Sequence, residues 1–275
     1  MKEVNENPTK ILFITQEIFP YLPETEISNI CRKLPQSVQE RGHEIRTFMP
    51  RYGTVSERRN QLHEVIRLSG MNLIIDDSDH PLIIKVASMQ SARMQVYFID
   101  NDDYFQNRAI AADENGEEYT DNDERVVFFV RGVMETVKKL RWAPDIIHCH
   151  GWITALTPLY VKKAYNDDPF FKNAKVVYSV YDDGFKSPFP DTFQKKLIID
   201  GVEDEHVEML QSGNVDYKTL TKFAVEYSDG IIQGSENIDE DIRQYIDEKG
   251  VPFLEHCNNE TYLEEYDNFY STILN

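Results

Sequence analysis

The sequence is short of cysteine, of positive charge and of long apolar runs, and each shortage excludes something. Three cysteines, Cys31, Cys149 and Cys257, are scattered over 275 residues. Spacing that wide builds no disulfide framework and suits a reducing compartment. Lysine and arginine total 29 against 48 aspartates and glutamates, for a formal net charge of −19. A field of that sign repels polyanions, so no nucleic-acid partner is expected, whereas a neutral ligand meets no such barrier. No apolar run approaches the roughly 20 residues of a membrane-spanning helix. The opening stretch MKEVNENPTK is polar and has no apolar signal core. A cytoplasmic protein without membrane contact is the expectation.

Glycine is missing at one telling place. The strand-like run KILFITQ hands over to a helix through FPYLPETE, residues 19–26. A phosphate-binding turn uses glycines there so that the backbone can approach its ligand. This turn holds Pro23, Glu24, Thr25 and Glu26 instead.

What is present is enough for a full core, since 41% of the residues are hydrophobic. Residues 10–16 and 44–50 read as buried strands. Between them Ile27, Ile30, Leu34 and Val38 recur at helical spacing and predict a helix over 24–41, with Pro35 kinking it or marking its first turn. Short β-rich runs in 62–100 suggest a hairpin or meander inserted on an α/β frame. After an acidic loop, Val126, Phe129, Val130, Val133, Val137 and Leu140 trace one face of a long helix. DIIHCH reads as a strand, WITALTPLYVKKAY as a helix and AKVVYSVY as another strand, and 182–215 as irregular. DYKTLTKFAVEYSD reads as a helix, GIIQGS as a strand, and ENIDEDIRQYIDEKG as a helix closed by Gly250. In the tail, Tyr262, Tyr266, Phe269, Tyr270 and Ile273 share a helical face, a stripe that suits core packing. The fold class expected is α/β, a doubly wound, mostly parallel Rossmann-like sheet. One domain over 1–275 would carry the β-rich insertion at about 62–100 and a closing helix at about 260–273.

Five blocks in order, KILFITQEIFPY, LPQSVQERGHEIRTFMPRYG, DNDERVVFFVRGVMETV, PDIIHCHGWITALTPLY and FAVEYSDGIIQGS, together resemble the N-terminal domain of bacterial glycogen synthases and plant starch synthases. The resemblance covers about residues 10 to 236. It implies one half of a GT-B-type glycosyltransferase, from a family that moves glucose from ADP-glucose to an α-1,4-glucan with retention. The N-terminal half bears on the acceptor glucan and the C-terminal half grips the donor. The chain is expected to end about where the first domain ends, without the second half's carboxylate and basic groups.

Against that family pattern the site-forming segments depart. The family carries Lys-Thr/Ser-Gly-Gly-Leu-x-Asp at the first turn. By position Pro23 stands for the lysine, Glu24 for the hydroxyl residue, Thr25 and Glu26 for the glycines, and Asn29 for the aspartate. The family's His-x-His-Asp-Trp-His/Gln-Thr is here His148, Cys149, His150, Gly151, Trp152, Ile153, Thr154. Its Thr-Ile-His-Asn is Val176, Val177, Tyr178, Ser179.

Candidate cleft- or glucan-lining residues are Glu17, Tyr52, His148, His150, Trp152 and Asp183. His148 and His150 share a strand face, and two local ligands are too few for a closed zinc site. Structural roles stand as the alternatives, bonding of the turn's backbone for Glu17 and satisfied core histidines for the pair. Tyr104, Phe105, Tyr119, Trp152, Tyr181, Phe185 and Phe189 are placed on the cleft side, either as exposed sugar platforms or as packing. No catalytic residue, cofactor or metal is expected. The function expected is a glycogen/starch synthase-like protein of α-glucan metabolism, non-catalytic alone, that binds α-glucan, a protein partner or a second copy. The alternative is an active glucosyltransferase completed by a separate donor-binding chain.

Overall fold

The centre of the molecule is set by KILFIT, whose last five residues are completely buried because strands pair with it on both edges. In the computed structural model residues 8–211, 213–258 and 261–275 are described, so the polar stretch 1–7 lies outside the described residues. The chain runs through β1 (Lys10–Thr15), α1 (Glu26–Glu40), β2 (Glu44–Pro50), α2 (Glu57–Asn60), β3 (His63–Glu64), β4 (Met71–Ile75), β5 (Ser78–Met89) and β6 (Met94–Asp100). It continues through α3 (Asn122–Leu140), β7 (Ile146–His150), α4 (Thr157–Lys162), β8 (Lys175–Val180), α5 (Phe193–Lys196) and α6 (Tyr217–Glu226). It closes with β9 (Gly230–Gln233), α7 (Glu240–Lys249), β10 (Phe253–Leu254) and α8 (Tyr262–Leu274).

The strands form one sheet in the order β10-β9-β8-β7-β1-β2-β6-β5-β3, with β4 paired to β5. Pairing is parallel from β10 through β6 and antiparallel where β5 meets β6, β4 and β3. This is the mostly parallel, doubly wound α/β fold. The β-rich stretch enters it differently from a separate insertion. β6 hydrogen-bonds in parallel to β2, so MQVYFID is a frame strand, and β3, β4 and β5 extend its edge.

One helix matches the sequence reading apart from the place of its proline, and one differs. Pro35 sits well inside α1 and buried; the helix runs through it, and the missing N–H leaves only one carbonyl of the preceding turn without its intrahelical partner. The stretch after β7 gives a 3₁₀ turn over Trp152–Thr154 and the short helix α4, not one long helix. Pro158 in the first turn of α4 suits that start.

Helix α8 covers one face of the sheet. Its stripe of Tyr262, Tyr266, Phe269, Tyr270 and Ile273 is buried throughout. The approach is close enough that a Cβ on Gly230 of β9 would lie 2.5 Å from Cδ1 of Ile273. Among the described residues no helix is long and apolar enough to cross a membrane.

Candidate functional site

The carboxyl ends of β1, β2, β7, β8 and β9 bring the sequence's candidate residues to one edge, where open α/β sheets place their sites. The first turn is occupied by the protein itself. Thr25 caps α1: its Oγ1 accepts the N–H of Ser28 (3.0 Å) and donates to Oε1 of Glu17 (2.7 Å). Ser28 Oγ accepts the N–H of Thr25 and donates to the carbonyl of Pro23. Glu26 Oε2 accepts the hydroxyl of Ser235, 2.5 Å away, beyond β9. Pro23, Glu24, Thr25 and Glu26 are all exposed, yet two of them are tied inward.

Behind the turn lies a second constellation. Asp183 follows β8; its Oδ2 accepts the backbone N–H of Trp152 (3.1 Å) and its Oδ1 the hydroxyl of Tyr217 on α6 (3.1 Å). Burial pushes its carboxyl up to about 6, against the lowering effect of those bonds and of one from Gln16. Burial also raises Glu17, opposed by the Thr25 hydrogen bond and reinforced by the charge of Asp183. Gln16 is buried, and its Oε1 has no partner among the described residues.

Gly151, where the resemblance puts an aspartate, has φ +87, and a Cβ there would lie 2.6 Å from Cβ of Gln16. Gly151→Asp should therefore lower stability by about 1–3 kcal/mol from the backbone alone, with steric strain added. Paired with Gln16→Ala the loss should be smaller than the sum of the two single losses, as a double-mutant cycle of thermal melts would show. Strict additivity would detach Gly151 from Gln16.

Of the candidate lining residues, Tyr52, His148 and His150 are completely buried, Trp152 is 1% exposed and Glu17 5%. Only Asp183 is half-buried. They do not line an open surface in this chain. Both ring nitrogens of His148 are engaged, by the hydroxyls of Tyr270 (2.7 Å) and Ser179 (2.7 Å), and His150 Nδ1 meets the hydroxyl of Tyr181 (2.8 Å). His148 thereby ties α8 to the sheet, whereas His150 reaches Tyr181 beyond β8 and its Nε2 has no partner among the described residues. The expected aromatic platform is likewise interior: Tyr104, Phe105, Trp152, Tyr181, Phe185 and Phe189 are buried, and Tyr119 is half-buried. Trp152, Phe185, Phe189 and Phe193 pack in series at centroid distances of 4.6 to 5.2 Å, Phe185 and Phe189 stacked and the other two pairs edge to face. Gln16, Tyr217 and Ser235, which fix the two carboxylates and the turn, were not picked out from the sequence. Their only signal was position, just after a strand or at the start of a helix.

Among the described residues no group of three or more His, Cys, Asp or Glu side chains is placed to hold a metal ion. What the edge can do is hydrogen-bond, through carboxyl groups whose pKa values burial raises.

Comparison with known proteins agrees with this frame. The family model of the starch synthase catalytic domain matches residues 10–254. The glycogen synthase of Chlorobium limicola is 34% identical over 230 residues, covering 81% of this chain and 47% of its own. That of Chlorobaculum tepidum is 36% identical over 211 residues, covering 74% and 43%. Among solved structures, the catalytic domain of starch synthase IV from Arabidopsis thaliana bound to ADP and acarbose superposes with a TM-score of 0.69 at 17% identity. The alignment covers 92% of this chain and 52% of that one, which identifies the fold as one GT-B half. The chain thus spans about half the length of the curated relatives it matches. With the family match covering residues 10–254, the chain belongs to the starch synthase catalytic domain family.

Proposed function

We propose that this chain is a non-catalytic member of its family, a cytoplasmic pseudoenzyme that binds α-glucan or a protein partner and does not take up ADP-glucose by itself. The observation that carries this reading is the first turn. The N-terminus of α1, which would cradle a diphosphate, is capped by Thr25 and already faces the carboxylates of Glu17 and Glu26. Pro23, at the position of the family's lysine, supplies neither charge nor N–H. Like charges about 4 Å apart repel by roughly 1 kcal/mol in water and about 4 kcal/mol at an effective dielectric of 20. A diphosphate brought beside two carboxylates meets that repulsion several times over, and Pro23 gives it no lysine at the family's position to offset it.

Titration of the chain with ADP-glucose in a calorimeter, with and without maltooligosaccharide, should give no binding heat. Tight donor binding would instead assign the alternative, a glucosyltransferase completed by a separate donor-binding chain.

A further inference from the structure

Residues 255–275 lie beyond the span that matches the family, yet His256, Cys257, Tyr262 and Tyr266 form one wall of a cleft. Between α1, the end of β9 and the stretch leading into α8 lies a cavity of about 510 Å³, within the roughly 300–1,000 Å³ of small-molecule sites. Helix α1 contributes Glu26, Asn29 and Lys33 from one face, and the opposite wall contributes His256 and Tyr262. Among the described residues the Lys33 ammonium and the Asn29 side-chain amide have no hydrogen-bond or ion-pair partner. Glu26 commits Oε2 to Ser235 and keeps Oε1 open. His256 Nδ1 stands 3.0 Å from the carbonyl of Gly234, so Nδ1 is the donor and Nε2 is left as an acceptor.

The open donors are therefore an ammonium, an amide NH₂ and a phenol; the open acceptors are an amide oxygen, a carboxylate oxygen and an imidazole nitrogen. We propose that this cleft binds a neutral polyhydroxylated ligand, a short oligosaccharide. A hydroxyl group both donates and accepts, and so satisfies a balanced set. An anion would gain Lys33 but meet Glu26 and a chain of net charge −19, and a cation would meet Lys33. The buried ring of Tyr262 on the wall offers an apolar edge for sugar C–H groups. The inference rests on the glucan-binding reading and gives it a place, formed in part by residues outside the family match.

Cys257 provides the local reporter. It lines the cleft and is half-buried, while Cys31 and Cys149 are completely buried. Maleimide labelling of the full chain should slow about tenfold when maltotriose is present at ten times its Kd. Inorganic phosphate should leave the rate unchanged. By calorimetry, Asn29→Ala and Lys33→Ala should each weaken maltotriose binding about tenfold, the loss of roughly one hydrogen bond. Gln39→Ala, on the same helix outside the cleft, should not. Maltotriose binding that neither protects Cys257 nor responds to those substitutions would overturn the cleft and leave the glucan reading standing. Protection by phosphate in preference to maltotriose would make the site anionic and overturn the proposal. Absence of any maltotriose binding would remove both.

Discussion

Arg125→Met is expected to lower the unfolding free energy by about 3–5 kcal/mol, read as a fall in the urea midpoint at an unchanged slope. Arg125 lies in the first turns of α3 and is completely buried. Its Nε donates to the carbonyl of Tyr104 (2.9 Å), Nη1 to the carbonyl of Ile110 (2.7 Å) and Oδ1 of Asn122 (2.6 Å), and Nη2 to the carbonyl of Ala109 (2.7 Å). The rings of Tyr119, Phe105 and Tyr52 lie 4.9, 5.4 and 5.9 Å from the guanidinium carbon. Burial lowers its pKa, but carbonyl oxygens and ring faces surround the charge. Methionine matches the volume and leaves three carbonyls unpaired, each a loss on the order of 1–3 kcal/mol. Arg125→Lys should fall between, since an ammonium keeps the charge but cannot fork across three carbonyls. A methionine variant with the wild-type midpoint would show that the loop over 104–110 is held by something else.

Much of the frame was legible because its strands are buried on both faces and read as continuous apolar runs. KILFIT, EIRTFMP and DIIHCH each form the strand expected, within a residue or two. The helical stripes on α1, α3 and α8 were legible for the complementary reason, one apolar face at 3.6-residue spacing. Strand partners were not legible. MQVYFID looks the same whether it closes a meander or joins the main sheet, and only its pairing with β2 distinguishes the two. Pro35 does not mark the first turn of α1, and the helix continues past it because the contacts along its buried face outweigh one missing hydrogen bond.

The candidate site was legible in position but not in exposure. Glu17 and Asp183 were placed at strand ends, and there they are, each with a hydroxyl partner. That Trp152, Phe185 and Phe189 pack on one another depends on how three loops fold together, and loop-to-loop packing leaves no periodic trace. The partnership of Gly151 with Gln16 is equally silent in sequence, since 135 residues separate two atoms that would collide.

Acidification from pH 7 to 5 should destabilise the protein by about 1 kcal/mol or more, and the cause is the buried histidine pair. The rings of His148 and His150 lie 3.9 Å apart. Burial lowers His150 to about 3 and His148 well below its ordinary value, with the neighbouring His150 adding to the second shift. In the unfolded chain both titrate near 6.5. Below that pH the unfolded state takes up protons that the folded state refuses, so stability is lost as pH falls from about 6.5. His150 accounts for about 2 kcal/mol of this between pH 7 and 5, and His148 contributes with the same sign. Asp183 works the other way. Raised to about 6, it binds its proton in the fold before it would in the unfolded chain, which returns about 1 kcal/mol over the same interval. Acid also relieves repulsion among the excess carboxylates, so the difference between variants isolates the pair better than the wild-type curve alone. His150→Asn should flatten the dependence of urea midpoint on pH by close to one proton, and Asp183→Asn should steepen it. Parallel curves for wild type and both variants would mean that the histidines are not held neutral in the core.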